Sequence, residues 1–559
     1  VLYGLTLGPL SESLRCAVPA LVQPWYADDA AAGPGGTDAV DFRNWLLRFG
    51  AESEALREEM ALWANWLAND HPPWAAYRAV MAGRLVALDK EPGVRPLGIG
   101  EVYRRLWAKC ILKVCGSQAT AACDNHNLCA GLRAGIEGAV HAVGAALVPR
   151  MADGTGDRNT GGYFLGVPGT GAPLGAPALA PPLPPDTPPD VAPQGAPAGE
   201  MGVVQPVAAT LIDARNGFNE LSRKAMLWTV RHRWPAAARF AFNCYRHAVC
   251  LVLRRRGGPC TMILSREGVT QGDPISMVLY GLTLVPLSES LRSAVPTLVQ
   301  PWYADDAAMV GPPREIAKAF RLLQVWGPQR GYYPEPEKSV LVVAPEWAEA
   351  AELELREFQF QYRSGSRYLG GWIGDRGARA EWLEPQIQQW IGGIDRLAQV
   401  AKRYPQTAYA GMTRSLQGEW QFIQRVLPDA DGAFAPVEAA IASTFIPALL
   451  DDTKEAVTGL RDLIRLPVRH AGLGLPNPGE TASDSHLTSQ LVTESLTKSL
   501  LAGTPLGAAA YSTAAATGQK TWRAVREKVD GATHLELCAK AAPTAARRMK
   551  RSTDTGSWL

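Results

Sequence analysis

The stretch that most restricts this chain is "TLVQPWYADDAAMVG", residues 297–311. Two apolar, β-prone runs flank Asp305-Asp306, the pattern of a tight hairpin with both acids at its turn. Adjacent carboxylates beside apolar chain are costly, because like charges repel and desolvation disfavours the ionised form. Divalent cations would offset that cost. Taken alone, "YADD" reads equally as a solvated Asp-Asp turn, so its neighbours must decide.

Upstream, "ATLIDARNGFNEL" places Asp213 at the end of the apolar run Leu211-Ile212. A strand that ends in a carboxylate and leads through a turn into a helix suits a metal ligand. By itself Asp213 would be a helix N-cap. Between the two acidic motifs lies "REGVTQGDPISMVLYGL". Gly268, Gly272 and Pro274 predict a turn-rich loop followed by an apolar helix. Such a loop brings backbone close to a base pair or a phosphate.

In this order the motifs resemble the palm of reverse transcriptases from retroelements, of a non-LTR-like retrotransposon kind. "LIDARNGFNEL" is similar to the first aspartate motif, "VTQGDPIS" to the template-primer grip and "YADD" to the second aspartate motif. "GYYPEPEKSVLVV" resembles the following motif, with its lysine at Lys338. "SRYLGGWIG" resembles the primer-grip hairpin, and "KEPGVRPLGIGEVYRRL" the fingers segment. "LPVRHAGLGLPNP" is similar to a thumb-side segment. The resemblance runs over roughly residues 40–480. It departs at Asn219, where the family carries a second acid after the aromatic, and at a Pro-rich insert where members are compact.

The resemblance implies an α/β (α+β) fold, with right-hand palm and fingers and a mostly helical thumb and C-terminal region. It implies an RNA-directed DNA polymerase that takes an RNA template, a DNA primer and deoxynucleoside triphosphates. Two Mg2+ ions, with Mn2+ as a substitute, would assist in-line phosphoryl transfer. Asp213 and Asp305 would bridge them, the carbonyl of Ile212 would add a ligand, and Asp306 would be the outer partner. Lys90 and Arg95 would hold the triphosphate; each is otherwise a surface cation. Lys338 would meet the leaving pyrophosphate, or is a solvated lysine at a strand end. Gln271, beside Gly272, would pack by the nascent pair. Phe218 would exclude a ribose hydroxyl, or is an ordinary core residue.

The rest of the chain is less regular. Val1–Ala31 repeats Val278–Ala308 except at Gly8/Val285, Cys16/Ser293 and Ala20/Thr297. The copy is used once and ends abruptly, unlike a solenoid repeat. It reads as a recombination or gene-model scar, and its Asp28 and Asp29 are expected to be catalytically silent. From about 154 to 206 the chain is rich in Pro, Gly and Ala, a composition that cannot offset its ordering entropy. The expected divisions are 1–34 for the orphan copy, 35–150 for N-terminal helices and fingers, and 151–206 for the insert. The palm would follow at 207–377, the thumb-like region at 378–480, and an Ala-rich, helical or partly disordered tail at 481–559. Within the fingers, 43–69 has helical spacing stopped by Pro72-Pro73, "RLVALDK" and "VRPLGIG" suit strands, and "EVYRRLWAKCILKVC" suits a helix.

Composition narrows the class without naming it. A net charge of +2 over 559 residues is no global nucleic-acid footprint, so phosphate contact must be local. Arg254-Arg255-Arg256 and the run Arg547 to Arg551 are the densest basic stretches. Nine cysteines without a CxxC pair exclude a zinc-finger pattern and suggest reduced thiols in an intracellular, cytoplasmic or nuclear, setting. No signal peptide and no uninterrupted apolar run of membrane length is read. The chain starts without Met and reads as a fragment or an open frame. Two rivals remain: a catalytically inactive nucleic-acid-binding relic of a decayed element, and an RNA-dependent RNA polymerase, which "YADD" and Phe218 disfavour.

Overall fold

The computed structural model of the chain describes residues 32–89, 94–147, 206–254 and 258–540. The first copy of the hairpin with Asp28 and Asp29, Lys90, most of the Pro-rich insert, Arg255-Arg256 and the basic run at 547–551 lie outside the described residues.

Helices α1 (Ala39–Leu47) and α2 (Gly50–Asn69) cover the stretch with helical spacing, and α3 (Trp74–Met81) follows Pro73. The spacing predicted one helix; Gly50, at φ +55, divides it in two. Asp38 caps α1 by accepting from the Asp41 N–H at 2.7 Å. Strands β1 (Gly83–Asp89) and β2 (Val94–Gly100) then pair antiparallel, as the fingers segment suggested. The apolar helix α4 (Val102–Cys123) and the small-residue helix α5 (Gly135–Leu147) complete the first half.

After the undescribed insert come β3 (Ala208–Ile212), α6 (Arg223–Arg233), α7 (Pro235–Tyr245), β4 (Val249–Leu253) and β5 (Thr261–Ser265). A four-stranded sheet has the order β2-β1-β4-β5, with β1 and β4 parallel. The expected apolar helix is α8 (Ser276–Ala294), buried along most of its length. It leads into β6 (Trp302–Tyr303), β7 (Asp306–Gly311), α9 (Pro313–Trp326), β8 (Val340–Val343) and β9 (Gln361–Arg363). A five-stranded sheet has the order β6-β7-β3-β8-β9. A separate hairpin, β10 (Gly365–Tyr368) and β11 (Gly371–Gly374), precedes α10 (Arg376–Ala401).

The strands of the five-stranded sheet read as continuous apolar runs because both faces of the sheet are covered. Ala208, Ile212, Ala307, Met309, Leu341 and Val343 enter the large core shared with α4 and α8. The alternate residues Ala209, Ala308, Val310 and Val342 enter a second core on the opposite face. This is the two-residue alternation of a strand.

The second face is covered by α5 together with the last two helices, α11 (Pro478–Ala502) and α12 (Ala508–Lys540). Leu496, Leu500, Tyr511 and Ala515 are buried there. The Ala-rich stretch therefore enters this second core through α11 and the first turns of α12. It starts cleanly: Pro478 occupies the first turn of α11 and Asn477 accepts from the Gly479 N–H at 2.9 Å. That helix runs through residue 480. Between α10 and α11 shorter helical segments form a separate core around Trp390, Trp420 and Phe434. One of these stretches, Asp431–Leu450, is long and apolar enough to cross a membrane by composition, but Phe434, Val437, Ile441 and Phe445 are spent on this core.

Candidate active site

The register of the five-stranded sheet brings the acids together. Leu211 pairs with Ala308 and Ile212 with Ala307, so the next step sets Asp213 across from Asp306. Tyr303 pairs with Asp306, leaving Ala304-Asp305 as a two-residue turn. Asp213, Asp305 and Asp306 thus share one end of one sheet. The first flank of the hairpin is shorter than its apolar run, because Pro301 has no N–H to offer; pairing resumes at Val299 and Val310.

Backbone contacts hold each acid. The Asp213 N–H donates to Ser339 Oγ at 3.1 Å, and its carbonyl accepts from the Glu335 N–H at 2.9 Å. The Asp305 carbonyl accepts from the Tyr332 hydroxyl at 3.0 Å, with Tyr332 fully buried against Trp302. The turn after Asp213 crosses directly over the hairpin. A Cβ at Gly217 would stand 2.7 Å from Asp305 Cβ, so only glycine permits this approach. Ala304 itself lies in the left-handed region at φ +54, where a non-glycine residue costs about 1–2 kcal/mol.

The cluster is electrostatically frustrated. Burial first, then Asp305 and Asp213, pushes the Asp306 carboxyl up to about 6. Two arginines oppose that shift, Arg367 from β10 and Arg95 from β2. The buried phenols of Tyr280 and Tyr332 are pushed well above the usual tyrosine range by burial, and then by Asp305. Clustered acids of this kind suit divalent cations. Among the described residues no group of three or more His, Cys, Asp or Glu side chains is preformed to hold one ion. That is compatible with magnesium, which keeps several waters and takes one or two carboxylates plus substrate phosphates.

The other residues named from the sequence fall at different distances from this cluster. Arg95 is exposed and near enough to act on Asp306. Lys338 pairs with Glu335 at 2.5 Å, and that bond raises the lysine's pKa, so it would have to leave Glu335 to meet a phosphate. Phe218 is half-buried and stacks on Tyr280, ring centroids 4.6 Å apart. The Gln271 carbonyl accepts from the Gly98 N–H at 3.0 Å, and Gly272 (φ +99) lies against Gly98, so the grip loop abuts β2. The loop is pinned from behind by a buried Arg104–Asp273 ion pair at 2.6 Å, with the Tyr245 hydroxyl donating to the same carboxylate.

Sequence reasoning did not single out Ser339, Tyr332, Arg367 or Asn127. Ser339 follows Lys338 directly and sat inside a quoted motif. Arg367 sat inside another. Asn127 had no local signal, since its contacts lie in a segment 177 residues away.

No protein-family model matches the chain, and no curated protein matches it. Among solved structures it is similar to apo telomerase from Candida tropicalis truncated from its C-terminal domain, at 9% identity and a TM-score of 0.31, covering 55% of this chain and 63% of that one. It is similar to full apo telomerase from the same organism, at 9% identity and a TM-score of 0.36, covering 77% and 69%. It is also similar to telomerase from Candida albicans in complex with a fragment of telomeric RNA, at 10% identity and a TM-score of 0.25, covering 47% of each chain. The chain spans less than two thirds of the truncated Candida tropicalis telomerase, 63%, and of the Candida albicans telomerase, 47%. Likenesses of this strength assign no residue a role.

Proposed function

We propose that the chain is an RNA-directed DNA polymerase of the reverse-transcriptase type, from a non-LTR-like retrotransposon. The observation that carries this reading is the palm register: Asp213 at the end of β3 stands opposite Asp306 on β7, with Asp305 in the turn between strands. The order of the surrounding motifs supports it.

In this reading Asp213 and Asp305, with the Ile212 carbonyl, would hold two Mg2+ ions, with Asp306 as the outer partner. Bound there, the ions would stabilise the attacking and leaving oxygens of an in-line displacement. The chain's own residues do the positioning. Arg95 and Lys90 steer the triphosphate, and Arg367 adds positive charge from the β10–β11 side. The grip loop, fixed against Gly98, offers Gln271 and Gly272 to the nascent pair. Phe218, propped by Tyr280, bars a ribose hydroxyl. Lys338 moves from Glu335 to the leaving pyrophosphate.

The test is primer extension by purified protein on a polyadenylate template with an oligothymidylate primer. Asp213→Ala or Asp305→Ala should each lower the rate by at least about a thousandfold, as loss of transition-state charge stabilisation does, with the thermal transition retained. Activity in either variant within about tenfold of the parent would sink the assignment. A parent protein that binds primer-template but never extends it would be the inactive relic instead.

A further inference from the structure

The Ala304-Asp305 turn is held by a side chain from a distant loop. Asn127 is fully buried, in the segment that links α4 to α5. Its Oδ1 accepts from the Ala304 N–H at 3.0 Å, and its Nδ2 donates to the Ala304 carbonyl at 3.2 Å. The carboxamide therefore grips both polar atoms of the one residue in the turn with a left-handed backbone. The next residue extends the contact, as the Leu128 N–H donates to the Trp302 carbonyl at 2.8 Å. Oδ1 is itself steadied by the Cys129 N–H at 3.3 Å.

The loop that carries Asn127 is braced from two further sides. The Asp124 carboxylate accepts from the N–H groups of Leu506 and Ala508 at the start of α12, at 2.9 and 3.1 Å. Asn125 donates to the Thr504 carbonyl at 2.7 Å and accepts from Arg292 at 2.6 Å. Arg292, near the end of α8, also donates to the Gln300 carbonyl just ahead of the hairpin, at 3.0 Å. A continuous buried polar path thus runs from the α11–α12 junction to the catalytic turn.

We propose that Asn127 is a positioning residue for Asp305: it holds Ala304 in its left-handed conformation and so fixes where the neighbouring carboxylate stands. This rests on the polymerase reading of the site. Backbone donors and acceptors in a buried turn need partners. A carboxamide presents a donor and an acceptor on separate atoms at this reach, and glutamine does the same one methylene longer. Without the clamp the turn relaxes toward right-handed backbone and Asp305 shifts. Displacement of a catalytic group by about 1 Å costs on the order of a hundredfold in rate.

The experiment compares the parent chain with Asn127→Ala, Ala304→Gly and the double variant, first confirming extension by the parent and its loss in Asp213→Ala. Asn127→Ala should lower kcat by about a hundredfold while KM for primer-template stays within about twofold of the parent. Glycine adopts the left-handed region without strain, so Ala304→Gly should recover at least about tenfold of the lost kcat in the double variant. Mn2+ binding, followed by electron paramagnetic resonance, should weaken in Asn127→Ala and recover with Ala304→Gly. That measurement reads the carboxylate geometry even if the parent does not polymerise, so failure of the polymerase reading and failure of the clamp are told apart. If Asn127→Ala does not fold, Asn127→Leu fills the space without offering either hydrogen bond and is measured in its place. A folded Asn127 variant with parental kcat and Mn2+ affinity overturns the proposal. So does a loss of kcat that Ala304→Gly leaves untouched in both readouts.

Discussion

The β6–β7 and β10–β11 hairpins both turn on two residues, yet they are held by different means. In β10–β11 the turn residues Leu369 and Gly370 both have positive φ, +46 and +84, the conformation that suits a two-residue hairpin. Glycine supplies the second at no steric cost. The flanking Tyr368 and Ile373 are buried beside Val140 and Val426, so side-chain packing anchors the strands. In β6–β7 only Ala304 is left-handed, the second turn residue is an acid, and the clamp is a distant carboxamide. A hairpin that has only to stand can use local turn chemistry and packing. One that must present a carboxylate gives up the glycine position and takes its support from tertiary hydrogen bonds.

The largest expected effect lies in the packed hairpin. Ile373→Ala should destabilise the protein by about 2–5 kcal/mol, the cost of a cavity at a buried site. Chemical denaturation measures it. A loss below about 1 kcal/mol would mean the hairpin is not anchored by its core contacts, and the contrast would fail.

Next comes the turn itself. Gly370→Val forces a β-branched residue into positive φ beside Phe422 and should cost about 1–3 kcal/mol. The mirror substitution, Ala304→Gly, should change stability by less than about 1 kcal/mol, because relief of backbone strain is offset by a more flexible unfolded chain. Equal penalties at the two turns would erase the distinction drawn between them.

The smallest effect concerns pH. Without cations the Asp306 carboxyl titrates near 6 in the folded protein, above its ordinary 3.8. The folded state therefore binds the proton more tightly, and stability falls as pH rises from about 4 to about 6, then levels off. Asp306→Asn should flatten that segment of the melting-temperature profile, and saturating Mg2+ should raise the plateau above pH 6. An unchanged slope in Asp306→Asn would place the titration elsewhere.

Local chemistry was legible in this chain wherever neighbours in sequence are also neighbours in space. The strand ending at Asp213, the acidic hairpin, β1, β2 and the buried α8 all follow from periodicity and turn residues within a dozen residues, and the β10–β11 hairpin was expected from the resemblance. The division of 43–69 into two helices was not legible, since apolar spacing continues across Gly50. Nor was the role of the last helices: an Ala-rich stretch has weak periodicity, and only the core on the second face of the five-stranded sheet, shared with α5, gives α11 and α12 their place.

By itself, then, the sequence determined that Asp305 and Asp306 sit at one hairpin turn, because hairpin register is a local property, whereas the pairing of β3 with β7 set Asp213 beside them. Tertiary structure alone decided what holds them: Tyr332 under Asp305, Ser339 on the Asp213 amide, Arg367 facing Asp306 and Asn127 gripping Ala304. Hydrogen-bond partners across such separations leave no periodic trace in one chain. A buried asparagine is chosen by the two backbone atoms it must satisfy, and those atoms become its neighbours only after the chain has folded.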